Sequence, residues 1–176
     1  MGFLLLSGGA TSNTAKAPVA PVVPSHTVTL TAYNAVPEQT DSNPYETASG
    51  AYSNPEVVAA RSQDLRDELP SGTIIEIDGP STMQNTCGYN VVAPIIGYRV
   101  IADTMNARYT DRIDILFSTS ANYTLTGGKV RNAGTVLGIC GGATVRVVGY
   151  VNIRHIPKTQ AALAALVIGK GSLALK

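Results

Sequence analysis

Short segments of high β propensity, separated by glycine and proline, fill the chain between residues 26 and 156. The sequence contains 17 Gly and 10 Pro among 176 residues, and these residues end or redirect regular elements. Strands are predicted at residues 27–33, 73–77, 90–93, 98–102, 113–117 and 144–152, with 135–139 as a further candidate. Many short strands between such turns indicate a small closed barrel or a sandwich, and the pattern alone does not choose between them.

Composition excludes several other classes. Charged residues are 14% of the chain, which is too few for a coiled coil or a disordered polyelectrolyte. The net charge of +1 leaves no basic surplus to neutralise the phosphates of a nucleic acid. No apolar run approaches about 18 residues, so no membrane-spanning helix is predicted.

The two ends differ from the middle of the chain. Residues 17–24 alternate Pro with Ala and Val, which is typical of an extended linker, so residues 1–24 are predicted to be a disordered export remnant or Pro-rich linker. A single domain then spans residues 25–157, and residues 57–69 are its one internal stretch predicted to be partly helical. Residues 158–176 form a C-terminal helix or tail, with a short helix at 160–168 that ends at the following glycines.

The two cysteines, Cys87 and Cys140, lie 53 positions apart and belong to no C-x-x-C motif, which excludes a local metal knuckle. In an exported protein they would form one disulfide that stabilises the fold by about 3–4 kcal/mol. In a cytosolic protein they would be two buried thiols. Both alternatives stay open at this point.

The acidic residues are the main candidates for chemistry. No Ser-His-Asp arrangement and no zinc-binding motif is present, His26 and His155 are typical of structural or surface positions, and we expect neither a metal nor a cofactor. Asp103 ends an apolar run, and Asp114 lies between two isoleucines of a predicted strand. Burial of such a carboxyl raises its pKa, as a general acid requires. The alternative is a structural ion pair of Asp114 with a nearby arginine, Arg112 or Arg99.

The segments DT at 103–104 and RID at 112–114 resemble the signature of the bacterial three-aspartate (3D) domain, in which the two aspartates are also 11 positions apart (114 − 103). Three further segments fall in the family's order: TLTAY at 29–33, TASG at 47–50 and LPSGTIIEI at 69–77. The resemblance covers about residues 27–156. It implies an all-β dominated fold, a six-stranded double-psi β-barrel with one or two short helices.

The resemblance also implies cleavage of the β-1,4 bond between MurNAc and GlcNAc in peptidoglycan. In lytic transglycosylases one carboxyl protonates the leaving oxygen and then takes a proton from the muramyl C6 hydroxyl, which closes a 1,6-anhydro ring. The resemblance assigns this role to Asp114, with Asp103 as the partner that orients it and sets its pKa. The residues expected to bind the glycan are Thr31, Tyr33, Thr104 and Asn106. We further expect a monomer that is exported to the periplasm or cell wall.

Two departures from the family pattern bear on activity. Residues 58–61 (VAAR) occupy the region of the family's first aspartate, which is missing or replaced by Arg61, and Asp64 and Asp67 align with it only through an insertion. Residues 105–106 are Met-Asn where the family has Gly-Gly, and their side chains narrow the space for a sugar. These departures favour a non-catalytic, expansin-like glycan-binding barrel as the alternative. A structural component of the cell wall is a third hypothesis.

Overall fold

The structure is a computed structural model that describes residues 23–40 and 43–173 of the chain. Its strands, in chain order, are β1 Ser25–Asn34, β2 Val58–Arg61, β3 Thr73–Asp78, β4 Arg99–Thr104, β5 Arg112–Phe117, β6 Asn122–Thr124, β7 Val130–Asn132 and β8 Cys140–Tyr150. Its α-helices are α1 Tyr89–Ile96, α2 Ala133–Leu137 and α3 Gln160–Leu173, and two 3-10 turns lie at Gln63–Arg66 and Ile153–His155.

Six strands close into a barrel in the order β1-β5-β2-β4-β3-β8, while β6 and β7 form a separate hairpin. The β1/β5 and β2/β4 pairs are parallel, and the remaining pairs are antiparallel. The prediction of a strand-dominated fold with a six-stranded barrel is confirmed, and the sandwich is excluded. Within the described residues there are three short α-helices rather than one or two.

Two buried clusters lie on opposite faces of these strands. One cluster draws on all six barrel strands, as represented by Leu30, Ile77 and Ile113, and it fills the barrel together with apolar residues of α1 and α2. The other includes Val100, Leu116 and residue Leu163 of α3, which is 0% exposed. Helix α3 therefore covers the outer face of the barrel wall.

The structure corrects three local predictions. Residues 90–93, predicted as a strand, lie in α1, and the candidate strand at 135–139 falls largely in α2. The range 57–69 is partly helical as predicted, with the 3-10 turn at Gln63–Arg66. It also contains β2, which was not predicted because its four residues are all buried and show no alternation of polar and apolar positions. Helix α3 continues to Leu173 through two glycines, each of which costs a helix only about 1 kcal/mol.

Local signals explain the two helices that were predicted as strands. Helix α1 buries Val92 and Ile96, four residues apart, which is the spacing of one helical face. Helix α2 begins after Asn132, whose side-chain oxygen accepts a hydrogen bond from the Gly134 amide at 3.0 Å. The β-branched residues in both segments favour a strand by propensity, and the tertiary packing and the cap outweigh that preference.

Cys87 and Cys140 form a disulfide with a Cα–Cα distance of 4.7 Å, so the predicted bridge is confirmed. It ties the loop before α1 to the first residue of β8. For a loop of 53 residues, the chain-entropy estimate of its stabilisation is about 4 kcal/mol.

The predicted boundary at residue 24 falls close to the first residue that the structure describes. Residues 1–22, which make up most of the predicted linker, lie outside the described part of the chain. Pro24 is exposed, but its carbonyl accepts a hydrogen bond from the Val147 amide at 2.9 Å, so pairing begins just before β1. No helix within residues 23–40 and 43–173 is both long and apolar enough to cross a membrane.

Candidate functional site

Four neighbouring strands place Thr31, Asp114, Ala60 and Asp103 in one lateral row. Thr31 pairs with Asp114, Asp114 with Ala60, and Ala60 with Asp103. Positions that pair directly across a sheet project from the same face. At a strand spacing of about 4.8 Å, the Cα atoms of the two aspartates are about 10 Å apart, with the small Ala60 between them. The structure thus brings together the two residues that the sequence singled out.

An irregularity in β4 gives Asp103 its place in this row. Ala59 pairs with Ile101, but Ala60 pairs with Asp103, so Ala102 is an extra residue on β4. Ile101 belongs to the cluster that fills the barrel, and strict alternation would aim Asp103 the same way. A β-bulge re-aims the side chains that follow it. Here it brings Asp103 into register with Ala60 and Asp114, on the outer face.

Asp103 is held by three hydrogen bonds. Its Oδ2 accepts from the Tyr33 hydroxyl at 2.8 Å, and its Oδ1 accepts from the amides of Ala48 and Thr104, both at 2.9 Å. Ala48 lies in the TASG turn at 47–50, which the sequence comparison with the three-aspartate family had singled out without assigning it a contact. The turn therefore has a definite role, because its backbone fixes one of the two aspartates.

Tyr33 is buried, with 8% of its surface exposed, and its phenol reaches Asp103 across the barrel wall. Burial raises the pKa of Tyr33 well above its usual value, and the charge of Asp103 and the hydrogen bond to it raise it further. The phenol is therefore a permanent neutral donor at physiological pH. The structure gives Tyr33 a role in positioning Asp103, while a contact of Tyr33 with a glycan stays a prediction.

Asp114 is in a very different state. Its Oδ1 is buried and has no hydrogen-bond partner among the described residues, although the residue as a whole keeps partial exposure. Burial raises the pKa of Asp114 to about 6. A hydrogen bond from the Thr31 hydroxyl and the charge of Arg112 oppose this rise, and the charge of Asp103 adds to it least. The rise was expected, but its main cause is burial and not the neighbouring carboxylate.

The alternative of a structural ion pair receives no support from the described residues. None of the ion pairs found there includes Asp114. The guanidinium of Arg112 stacks on the ring of Tyr109, with 4.9 Å between its Cζ and the ring centroid. The guanidinium of Arg108 contacts the same ring at 4.7 Å. Arg99 donates its hydrogen bonds to backbone carbonyls. Arg112 therefore acts on Asp114 through its charge without a direct contact.

The segment after Asp103 is close to the row but turns away from it. Thr104 is half-buried and pairs with Arg61. Met105 is 9% exposed and belongs to the outer cluster, and Asn106 is exposed with its side-chain oxygen accepting from the Arg108 amide at 3.1 Å. Asn106 shapes its own loop, and contacts of Thr104 and Asn106 with a glycan stay predictions.

No aspartate takes the place of the missing family residue in this row. Arg61 is 5% exposed and donates to the carbonyls of Leu69 and Ser62, which makes it a structural residue of β2. Asp64 accepts a hydrogen bond from the Asp111 amide at 2.9 Å. Asp111 has a φ of 50°, so Asp64 stabilises a strained turn before β5.

Two clefts on the surface have volumes of about 450 Å³ and 200 Å³. Neither of them is lined by Asp103 or Asp114, so neither is a groove with the two aspartates at its floor. Residues 23–40 and 43–173 also contain no group of three His, Cys, Asp or Glu side chains placed to hold a metal ion.

Comparison of the chain with protein-family models gives no match, and comparison with curated proteins gives none either.

Proposed function

We propose that this chain is a peptidoglycan lytic transglycosylase of the three-aspartate type, with Asp114 as its single acid–base group. The observation that carries the proposal is the state of this carboxyl, which is buried and has a pKa of about 6. A carboxyl with this pKa is partly protonated near neutral pH, as a group that must first donate a proton requires. Residues with such perturbed pKa values concentrate at functional sites.

One carboxyl is sufficient for the whole reaction. Protonated Asp114 gives its proton to the glycosidic oxygen while the bond between that oxygen and the muramyl C1 breaks. The resulting carboxylate takes the proton of the C6 hydroxyl, whose oxygen bonds to C1 and closes the 1,6-anhydro ring. The carboxyl is thereby protonated again, and no water is consumed. Asp103, which already accepts three hydrogen bonds, is a fixed charged neighbour and not a proton donor.

The fold and the disulfide agree with this proposal. A closed barrel with parallel β1/β5 and β2/β4 pairs is compatible with a double-psi barrel. The Cys87–Cys140 bridge suits an oxidising compartment, and under this proposal the protein is exported to the periplasm or cell wall.

A non-catalytic glycan-binding barrel is the second candidate, and a specific observation favours it. The Oδ1 of Asp114 is sealed from solvent, and neither of the two clefts contains an aspartate of the row. In this case the barrel would bind glycan strands and Asp114 would be a buried acid without turnover.

The test is incubation of the purified protein with peptidoglycan sacculi, followed by mass spectrometry of the soluble products. We expect fragments that end in 1,6-anhydromuramic acid. Asp114→Asn keeps the shape of the side chain and removes its proton, so it should lower the rate by about 10²–10⁴-fold. Asp67→Asn is the matched control, because the side chain of Asp67 is 96% exposed, and it should release fragments at the wild-type rate.

Two outcomes would overturn the enzymatic proposal. One is sedimentation of the protein with sacculi without any anhydro product, which is the result expected of the glycan-binding barrel. The other is release of anhydro product by Asp114→Asn at the wild-type rate, which would assign the chemistry to another residue.

A further inference from the structure

The larger of the two clefts lies between two segments outside the barrel. One wall is formed by residues 51–55 and the other by residues 153–158, with Tyr52 on the first side and Arg154 and Lys158 on the second. The two walls are joined by a hydrogen bond of 2.8 Å from the Asn54 side chain to the Lys158 carbonyl. The cleft is therefore built by contacts between distant parts of the chain.

The charges at this cleft are of one sign. Arg154 and Lys158 are exposed, and neither forms an ion pair with any residue that the structure describes. No acidic side chain lines the cleft. Glu56 is close in sequence, but its carboxylate accepts a hydrogen bond from the amide of Gln160 at 3.3 Å. The two cations are thus available to a ligand.

Apart from Asn54, the rest of the lining is apolar or aromatic. The wall that carries the two cations also contributes three apolar residues, Ile153, Ile156 and Pro157. On the facing wall Tyr52 is 68% exposed. A ligand that fits this lining carries at least two anionic groups separated by small apolar groups. A short acidic peptide has this chemistry, because its carboxylates pair with guanidinium and ammonium groups and its side-chain methyl groups meet the isoleucines.

We infer that this cleft is a binding site for a short acidic peptide, with Arg154 and Lys158 as the carboxylate-binding residues. Under the proposed function, which supplies only the source of the ligand, the peptide would be a stem peptide of peptidoglycan. The cleft is also connected to the candidate site. The carbonyl of Ala51, at the edge of the cleft, accepts a hydrogen bond from the Thr47 amide at 2.8 Å. Ala48 follows Thr47 in the chain, and its amide donates a hydrogen bond to Asp103.

The test is isothermal titration of the full chain with N-acetylated Ala-Glu-Glu-Ala, which has a free carboxyl terminus, and with the N-acetylated amide of Ala-Gln-Gln-Ala, which is uncharged. We expect binding of the first peptide and at least tenfold weaker binding of the second, since the charge-assisted bonds are lost. The double variant Arg154→Glu/Lys158→Glu should weaken binding of the acidic peptide by at least tenfold as well. Arg154→Gln/Lys158→Gln removes the charges without reversing them and should give a smaller loss.

The matched control is Lys129→Glu/Arg131→Glu, which makes the same charge change at an exposed lysine and arginine of the β6–β7 hairpin. Equal loss of affinity in the control and the cleft variant would overturn the inference, because the effect would then be one of net charge. Equal affinity for the two peptides would overturn it too. Titrations in the Asp114→Asn background separate the two proposals, since peptide binding there does not depend on cleavage.

Discussion

Two ionisable side chains of the barrel wall, the buried Arg99 and the partly exposed Asp114, differ sharply in their hydrogen bonds. Arg99 is 1% exposed, and its guanidinium donates five hydrogen bonds, to the carbonyls of Pro55, Val58, Ile95, Ile96 and Leu116. Asp114 keeps one oxygen without a partner in the described part of the chain. Burial favours the neutral form of both groups, so it lowers the pKa of Arg99 to about 10 and raises the pKa of Asp114 to about 6.

The contrast shows that this fold is able to surround a buried charge with backbone hydrogen-bond acceptors. Most buried polar atoms in proteins have a hydrogen-bond partner, and an exception requires an explanation. At neutral pH Arg99 stays charged, whereas the Asp114 carboxyl, with a pKa of about 6, is mostly ionised and keeps a protonated minority. Arg99 thus joins segments of backbone through its hydrogen bonds, whereas Asp114 is able to exchange a proton near neutral pH.

The largest expected effect comes from removing the hydrogen bonds of Arg99. Arg99→Met removes all five hydrogen bonds and leaves buried carbonyls unpaired, so we expect a loss of about 3–5 kcal/mol in the free energy of unfolding. Urea denaturation followed by circular dichroism measures this loss. Arg66→Met is the control, because the side chain of Arg66 is 77% exposed, and its stability should change by less than about 0.5 kcal/mol. A small effect at Arg99 would contradict a structural role for its bonds.

The next effect is a pH dependence at Asp114. Its pKa is about 6 in the folded protein and near 3.8 in the unfolded chain, so the folded state binds the proton more tightly. Wild-type stability should therefore fall as the pH rises from about 4 to 7.5, by up to about 3 kcal/mol from this group. Asp114→Asn lacks this dependence.

The measurement is urea denaturation of the wild type, Asp114→Asn and the exposed control Asp67→Asn at several pH values. We expect Asp114→Asn to gain stability relative to the wild type as the pH rises, while the control follows the wild type. If the free energy of unfolding varied with pH in the same way for the wild type and Asp114→Asn, the pKa of the Asp114 carboxyl would not be raised. The contrast drawn between Asp114 and Arg99 would then be wrong.

The smallest expected effect comes from a change beside Asp103, the carboxylate in the same row as Asp114. Tyr33→Phe removes one of the three hydrogen bonds of Asp103 and should cost about 1–2 kcal/mol in the free energy of unfolding. Tyr45→Phe is the control at a tyrosine that is 69% exposed, and its stability should not change measurably. If Tyr33 only supports the fold, the pH profile of cleavage keeps its shape in the variant. If it positions Asp103 beside the acid, the acidic limb of the profile shifts.

The sequence pattern predicted the strands and drew attention to Asp114, whereas the choice of a barrel and the pairing of Asp114 with Asp103 came from the resemblance to the three-aspartate domain. Alternating strands mark the wall, and Asp114 interrupts an apolar strand where a charge has no ordinary place. The bulge that aims Asp103 leaves no such signal, since Ala102 looks like any other residue of an apolar run. The burial of Tyr33 and the amide contact of Ala48 also arise from packing between segments that are far apart in the chain.

Strand β1 has a consequence for how the chain reaches its folded state. It pairs with β5 on one side and with β8, the last strand, on the other, so Ser25 lies opposite Arg146. Among the described strands β1 is the first to be synthesised, and it waits for nearly the whole barrel before its second neighbour exists. A chain that stops before residue 140 lacks β8 and has two open edges, β1 and β3, which are free to pair with other chains. Such non-local pairing is typical of folding over milliseconds to seconds, and nascent chains of this protein are expected to depend on protection from aggregation until β8 is complete.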